Sequence, residues 1–91
     1  MRKRVIILVS GLVQGIFYRS NTLEKAKELN LTGWVKNEFS SSVKIVAEGE
    51  EENLEKLIEW TKQGPALAKV DKIEVEWERD RGKFKDFEIR Y

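Results

Sequence analysis

The sequence predicts an α+β sandwich in which an antiparallel sheet carries two helices on one of its faces. Strand-like and helical segments follow one another along the 91 residues in the order β-α-β-β-α-β, with a short final strand. Apolar and charged residues alternate in the later strands, which indicates that helices cover one face of the sheet and that the other face is exposed to solvent. This arrangement is the ferredoxin-like α/β sandwich, and the length predicts a single domain over residues 1–91.

The first strand and the first helix are predicted from different apolar spacings. Residues 5–9 (Val-Ile-Ile-Leu-Val) form a short apolar run that is typical of a strand buried on both faces. Residues 11–19 contain two glycines and are expected to form a loop. Apolar residues then recur at helical spacing from about Tyr18 to Leu29, and Asn30 can end that helix in the left-handed conformation.

The rest of the chain predicts four strands and one helix. They are strands at Gly33–Asn37 and Val43–Glu48, a helix at Glu51–Lys62, and strands at Ile73–Glu78 and Phe87–Tyr91. The three serines at 40–42 are expected to form the turn between the first two of these strands. The helix places its apolar residues on one face, and Gly64-Pro65 ends it.

The composition excludes several kinds of catalysis. The chain has no Cys, which excludes disulfides, thiolate nucleophiles and Cys-based zinc sites. It has no His either, which removes the usual general base near neutral pH and most transition-metal sites. The groups that remain are Arg, Lys, carboxylates, amides, hydroxyls and backbone N–H groups. They suit the binding of an anion better than redox or nucleophilic catalysis.

The charge balance and the apolar runs indicate where the protein acts. Lys and Arg number 17 against 16 Asp and Glu, a net charge of +1, whereas a nucleic-acid binder needs a basic excess. No apolar run approaches the roughly 20 residues of a membrane span, and the run near the N-terminus is too short for a signal peptide. We therefore expect a cytoplasmic protein that binds neither nucleic acid nor membranes. Lys and Glu dominate the charged residues, a bias that is typical of thermostable proteins.

Residues 10–19, here called the anion loop, are the segment that points to a function. A buried strand is expected to lead into a glycine-containing loop that opens directly into a helix. Backbone N–H groups at a helix start are unpaired and partly positive, so such a loop can hold an oxyanion. Arg19 in the first helical turn can add a forked, permanently charged donor. The same spacing also fits an ordinary strand-to-helix turn with a surface arginine.

Two segments resemble the signatures of the acylphosphatase family. Residues 11–19 (Gly-Leu-Val-Gln-Gly-Ile-Phe-Tyr-Arg) are similar to the first signature, and residues 33–37 (Gly-Trp-Val-Lys-Asn) are similar to the second. The likeness continues through residues 46–49, through Gly64-Pro65 with Val70, and through residues 87–89, so it covers nearly the whole chain. Members often carry Asp-Gly where this chain has Ser40-Ser41, and Gly where it has Asn30. These departures concern the geometry of turns, not the chemistry.

The resemblance implies hydrolysis of an acyl phosphate to a carboxylate and inorganic phosphate, without a metal or a cofactor. It implies that Arg19 and Asn37 are catalytic, Arg19 by pairing with the phosphoryl oxygens and Asn37 by orienting the attacking water. The backbone amides implied to bind phosphate together with Arg19 are those of Gln14, Gly15, Ile16, Phe17 and Tyr18. The implied partners are a small-molecule acyl phosphate and inorganic phosphate, which is both product and inhibitor, and the protein is expected to be a monomer.

Two other functions stay open at this point. A non-catalytic module could keep the anion loop to bind an anion or a phosphoprotein. A ferredoxin-like RNA-binding domain would instead need exposed aromatic residues on the central strands and a basic face. The side chains of Phe17 and Tyr18 could contact the acyl group or pack the loop, and the pattern favours neither.

Overall fold

The computed structural model describes residues 1–15 and 17–91, and for Ser40 the backbone alone. Its elements are β1 (Arg2–Leu12), α1 (Tyr18–Glu28), β2 (Thr32–Asn37), a 3-10 turn (Phe39–Ser41), β3 (Val43–Glu50), α2 (Glu51–Gln63), β4 (Lys69–Arg79) and β5 (Phe87–Arg90). The strands form one sheet in the order β4-β1-β3-β2-β5, and both helices pack on the same face. The predicted ferredoxin-like fold is confirmed.

The short final strand joins the sheet in a way that the sequence pattern does not predict. The pairs β4–β1, β1–β3 and β3–β2 are antiparallel, but β5 pairs with β2 in parallel. The physical reason is the connection through residues 80–86, which crosses the sheet at the end where β4 finishes. The chain must therefore turn back when it enters β5, and that direction is the direction of β2.

The strand β1 is buried on one face, so the expectation that both of its faces are buried is wrong. Val5, Ile7 and Val9 are fully buried beneath the helices. Ile6 and Leu8 point to the other face and are partly exposed. No helix among the described residues covers that second face, and only the 80–86 connection crosses part of it.

A buried carboxylate holds the 80–86 connection against the open face of the sheet. Glu48 in β3 is fully buried and accepts hydrogen bonds from the backbone N–H groups of Arg81 (3.0 Å) and Lys83 (3.3 Å). Its Oε2 atom also lies 3.6 Å from Nε of Arg4. These contacts position the chain that leads into β5. Buried charges are tolerated where they are paired in this way.

The predicted ends of both helices are confirmed. Asn30 has a positive φ (58°) just after α1, and Gly64 (φ 66°, ψ −167°) takes a backbone conformation that favours glycine after α2. The face of α2 that points into the core includes Leu54, Leu57 and Thr61, as the spacing predicts. No helix in the described part of the chain is long and apolar enough to cross a membrane.

The turn between β2 and β3 contains a strained serine. The predicted turn at 40–42 appears as a 3-10 turn whose last residue, Ser41, has φ 65°. An L-residue in this conformation costs about 1–2 kcal/mol, a cost that glycine avoids. Glycine also loses more entropy on folding, so the net gain from Ser41→Gly is smaller.

We expect Ser41→Gly to stabilise the protein by about 0.5–1 kcal/mol after this entropic loss. For a domain of this size that corresponds to a rise in Tm of about 2–8 °C. Thermal unfolding followed by circular dichroism measures the change. Ser41→Ala is the matched control, because alanine keeps the strain and should give no gain. A Tm for Ser41→Gly at or below that of Ser41→Ala would contradict the interpretation.

Candidate active site

The two signature-like segments meet at one end of the sheet, where β1, β2 and β5 finish and α1 begins. They border an open pocket of about 290 Å³. The residues that line it are Val13, Gly15, Phe17, Tyr18, Arg19, Ser20, Asn37, Ile89 and Tyr91. Among the side chains of these residues, that of Arg19 is the one that carries a charge, and most of the others are apolar.

The N-terminus of α1 faces the pocket, and no side chain of its first turn offsets the partial positive charge of the helix dipole there. Its N-cap residue, Phe17, makes no side-chain cap, and the first turn contains no acidic residue. The start of α2 differs, because Glu51 and Glu52 lie in its first turn. Unpaired N–H groups and the helix dipole favour an anion at such an end. The local sequence thus leaves α1, but not α2, ready for a negatively charged ligand.

The polar side chains of the first turn are turned back onto the backbone. The hydroxyl of Ser20 (3.2 Å) and the Nδ2 atom of Asn21 (2.8 Å) both donate to the carbonyl of Phe17. The backbone N–H of Asn21 donates to the same oxygen (3.0 Å). Three donors therefore fix the peptide at which the anion loop enters the helix.

Arg19 lies at the pocket with its guanidinium against an aromatic ring. Its Cζ atom lies 4.8 Å from the centroid of the Tyr91 ring. None of the ion pairs among the described residues involves Arg19. Its positive charge therefore lies at the pocket and is not matched by an Asp or Glu side chain of the described residues. A guanidinium of this kind can bind two phosphate oxygens at once.

Asn37 is the last residue of β2 and also lines the pocket. It pairs in register with Val43, so its side chain points to the face of the sheet that the helices cover. Its Oδ1 atom is buried and accepts no hydrogen bond from the residues that the structure describes. An unpaired buried acceptor is costly. A bound water molecule that donates to this oxygen would remove the cost.

The adjacent aromatic residues Phe17 and Tyr18 have different roles in the structure. Tyr18 is buried, its ring packs against Trp60 at 5.6 Å, and its hydroxyl donates to the carbonyl of Thr61 (3.0 Å). Burial raises the pKa of the Tyr18 phenol well above its ordinary value. Phe17 is 78% exposed at the mouth of the pocket and has a left-handed backbone (φ 63°). Tyr18 therefore packs into the core, whereas Phe17 presents an exposed ring to a ligand.

The side chain of Gln14 is directed away from the pocket. Its Nε2 atom donates to the carbonyls of Glu38 (2.9 Å) and Ser42 (2.8 Å). Gln14 is not among the residues that line the pocket. The sequence analysis considered only its backbone amide, and no short-range pattern reveals partners so far along the chain. The predicted contribution of Ile16 lies outside the described residues.

Comparisons with known proteins find one family at the level of both sequence and fold. A family model described as acylphosphatase matches residues 5–89. An acylphosphatase of Geobacter sulfurreducens is 43% identical over all 91 residues and is covered completely. The crystal structure of acylphosphatase from Bacillus subtilis superposes with a TM-score of 0.94 at 36% identity, and each chain is covered completely. An acylphosphatase structure from Coxiella burnetii has a TM-score of 0.89 at 40% identity, over 98% of this chain and 93% of that one.

Proposed function

The chain belongs to the acylphosphatase family and hydrolyses the carboxyl–phosphate bond of acyl phosphates, and we propose that Arg19, Asn37 and the anion loop perform this reaction. The observation that carries the proposal is the convergence of three features on one pocket. These are the unmatched charge of Arg19, the unpaired oxygen of Asn37 and the uncapped start of α1. They supply an anion site and a water site side by side.

In this proposal the phosphoryl group lies at the start of α1. The backbone N–H groups of Gly15, Phe17 and Tyr18 donate to its oxygens, and the guanidinium of Arg19 donates from the side. The backbone amide of Gln14 stays a predicted fourth donor. Phosphoryl transfer needs mainly positioning and the stabilisation of charge, which these groups supply.

Asn37 orients the water that attacks phosphorus. Its Oδ1 atom accepts a hydrogen bond from the water and aims the lone pair of the water oxygen at the phosphoryl group. As the new P–O bond forms, the bond between phosphorus and the acyl oxygen breaks, and the carboxylate leaves with the electron pair. Its conjugate acid has a pKa of roughly 4, so it leaves without a general acid. A neutral amide cannot take the proton, and a phosphoryl oxygen of the substrate accepts it.

The two other functions are less well supported. The open face beside the central strand β1 is of mixed charge and, in this region, has no aromatic side chain to stack on bases, which does not suit RNA; its lining is Ile6, Leu8, Glu38, Lys44, Glu74, Val75 and Glu76. A non-catalytic anion binder needs only the anion loop and Arg19, whereas Asn37 brings a further polar side chain to the same pocket. The position of Asn37 therefore favours turnover over binding alone.

Phosphate release from acetyl phosphate tests the proposal, with p-nitrophenyl phosphate as a phosphate-monoester control. We expect rapid release from the acyl phosphate and almost none from the monoester, because a phenolate leaves less readily than a carboxylate. Inorganic phosphate should inhibit competitively, since it binds the same donors. Binding of phosphate without turnover of either compound would favour the non-catalytic module.

We expect hydrolysis to be independent of metal ions. The described residues contain no group of three or more Asp or Glu side chains placed to hold a cation, and Arg19 supplies the positive charge at the pocket. Treatment with a chelator, followed by assay in buffer freed of divalent ions, should leave kcat unchanged. Loss of activity that added Mg²⁺ or Zn²⁺ restores would show that a metal site exists.

We expect Phe17→Ala to weaken the binding of aromatic acyl phosphates selectively. A ring contact that buries roughly 40–60 Å² contributes about 1–1.5 kcal/mol, so KM for benzoyl phosphate should rise about five- to tenfold. KM for acetyl phosphate should change less than about twofold, because its methyl group offers little area. Phe39→Ala is the matched control, since Phe39 is 96% exposed and does not line the pocket. Equal effects on both substrates would contradict an acyl contact.

Three further expectations belong to the same proposal. We expect a monomer formed by a single domain over residues 1–91. Size-exclusion chromatography with light scattering tests the monomer. The cytoplasmic location and the thermostability expected from composition stay predictions, which cell fractionation and thermal melts would test.

A further inference from the structure

We propose that the side chain of Gln14 is a positioning residue that sets the distance between the bound phosphate and the water held by Asn37. Gln14 belongs to the anion loop, whereas Asn37 ends β2 and leads into the turn before β3. The two segments are far apart in sequence and must be fixed relative to each other for an in-line attack. This inference rests on the proposed roles of the anion loop and Asn37.

The amide of Gln14 bridges the two ends of the turn that follows Asn37. Its Nε2 atom donates to the carbonyl of Glu38, at 2.9 Å, and to the carbonyl of Ser42, at 2.8 Å. The backbone N–H of Glu38 donates to that same Ser42 carbonyl at 2.8 Å. One side chain of the anion loop is thus bonded to the residue next to Asn37 and to the residue that closes its turn.

These contacts occupy the donors of Gln14, so its side chain does not bind phosphate. A primary amide has two N–H donors, and each has a carbonyl partner here. The remaining group, Oε1, is an acceptor that repels a phosphoryl oxygen. The contribution of this side chain to the reaction therefore acts through the turn and not through direct contact with the substrate.

The turn needs such support because little else holds it. Phe39 is almost fully exposed, and Ser41 has a left-handed backbone. Within the turn, the hydroxyl of Ser42 donates to the carbonyl of Phe39 at 3.1 Å. That bond closes the turn on itself but does not connect it to the anion loop. Among the hydrogen bonds of the described residues, those of Gln14 make that connection.

Gln14→Met and Gln14→Glu test the proposal by removing the donors in two ways. Methionine keeps the length of the side chain and has no donor. A misplacement of about 1 Å in an active site can cost about 100-fold, so we expect Gln14→Met to lower kcat by about 10- to 100-fold. The inhibition constant of inorganic phosphate should change less than about threefold, since the ligands of phosphate are intact. Gln63→Met is the matched control, because Gln63 is exposed at the end of α2.

Gln14→Glu provides a readout that a loss of packing does not imitate. An ionised carboxylate repels the two carbonyls, whereas a protonated carboxyl donates one hydrogen bond to them. The kcat of this variant relative to wild type should therefore rise as the pH falls from 7 towards about 4.5, the ordinary range of a glutamate. A constant ratio over that range would overturn the proposal. If Gln14→Met fails to fold, this ratio decides the question alone.

A double-mutant cycle with Asn37→Ala separates positioning from a general effect on the loop. If Gln14 acts through Asn37, adding Gln14→Met to Asn37→Ala should lower kcat by less than about twofold further. If the double variant instead loses kcat by the product of the two single-variant factors, the positioning role of Gln14 is overturned, while the proposed function stands. A wild-type kcat for Asn37→Ala would overturn both. Thermal melts of every variant establish that the folded protein is being compared.

Discussion

Arg19→Ala is expected to lower kcat for acyl phosphates by about 10³–10⁵, the range found for arginines that stabilise the charge of a transferring phosphoryl group. The guanidinium is the positive charge of the pocket and is not matched by a carboxylate among the described residues. In the proposed mechanism it contacts phosphate in the ground state as well as in the transition state. Its removal should therefore also weaken the inhibition by inorganic phosphate. Steady-state assays with phosphate as inhibitor measure both effects.

Arg19→Lys should restore little of this loss, because a point charge does not reproduce two parallel hydrogen bonds. Arg2→Ala is the matched control, since Arg2 is exposed and its ion pair with Asp80 lies at the other end of β1. The control should keep wild-type kcat and lose at most about 1 kcal/mol of stability. An Arg19→Ala enzyme that binds phosphate as tightly as wild type would contradict the proposed placement of the phosphoryl group.

Asn37→Ala is expected to lower kcat by about 10²–10³ while the affinity for inorganic phosphate stays near that of wild type. The reason is that its Oδ1 atom is proposed to hold the attacking water, and phosphate as product does not need that water. A loss confined to kcat is the signature of an interaction made mainly in the transition state. The contrast with Arg19, whose loss affects both quantities, is the sharpest test of how the two residues divide the work.

The control for Asn37→Ala is Asn53→Ala on α2, which lies outside the pocket. Asn37→Ala removes an unpaired buried oxygen, so the free energy of unfolding should not fall much. A clear drop in Tm would mean that Asn37 supports the fold. If Asn37→Ala folds and keeps the wild-type kcat, Asn37 does not orient the attacking water. That result would favour the hypothesis of a non-catalytic binding module.

The elements of the fold were largely predictable because their signals are local. The start of α1, the left-handed Asn30 and the stop at Gly64 each follow from spacing or from one residue type. The parallel pairing of β5 was not predictable, because it depends on where the 80–86 connection crosses the sheet. Glu48 shows the same limit. The alternating pattern of β3 predicts that Glu48 lies on the solvent-exposed face of the sheet, yet the 80–86 connection buries it.

The candidate site was predictable in its parts but not in its assembly. The anion loop alone indicates an anion site, and only the resemblance to a family connects Arg19 with Asn37. The bonds from Gln14 to Glu38 and Ser42 join residues 24 and 28 positions apart, and neither pattern nor spacing indicates them. The different roles of Phe17 and Tyr18 also needed the structure, because both are aromatic and adjacent.

The attachment of β5 at the edge of the sheet affects how far substrate selectivity can change without a change in the reaction at phosphorus. The phosphate side of the pocket is built on the central strand β1, on α1 and on β2. The opposite wall, with Ile89 and Tyr91, comes from a four-residue edge strand and the residue that follows it, and Glu48 helps to hold the connection into that strand. Substitutions of Ile89 can reshape this wall without removing a contact of the groups proposed to act on phosphorus. Tyr91 differs, because its ring also packs against the guanidinium of Arg19, so changes there alter the wall and the arginine together.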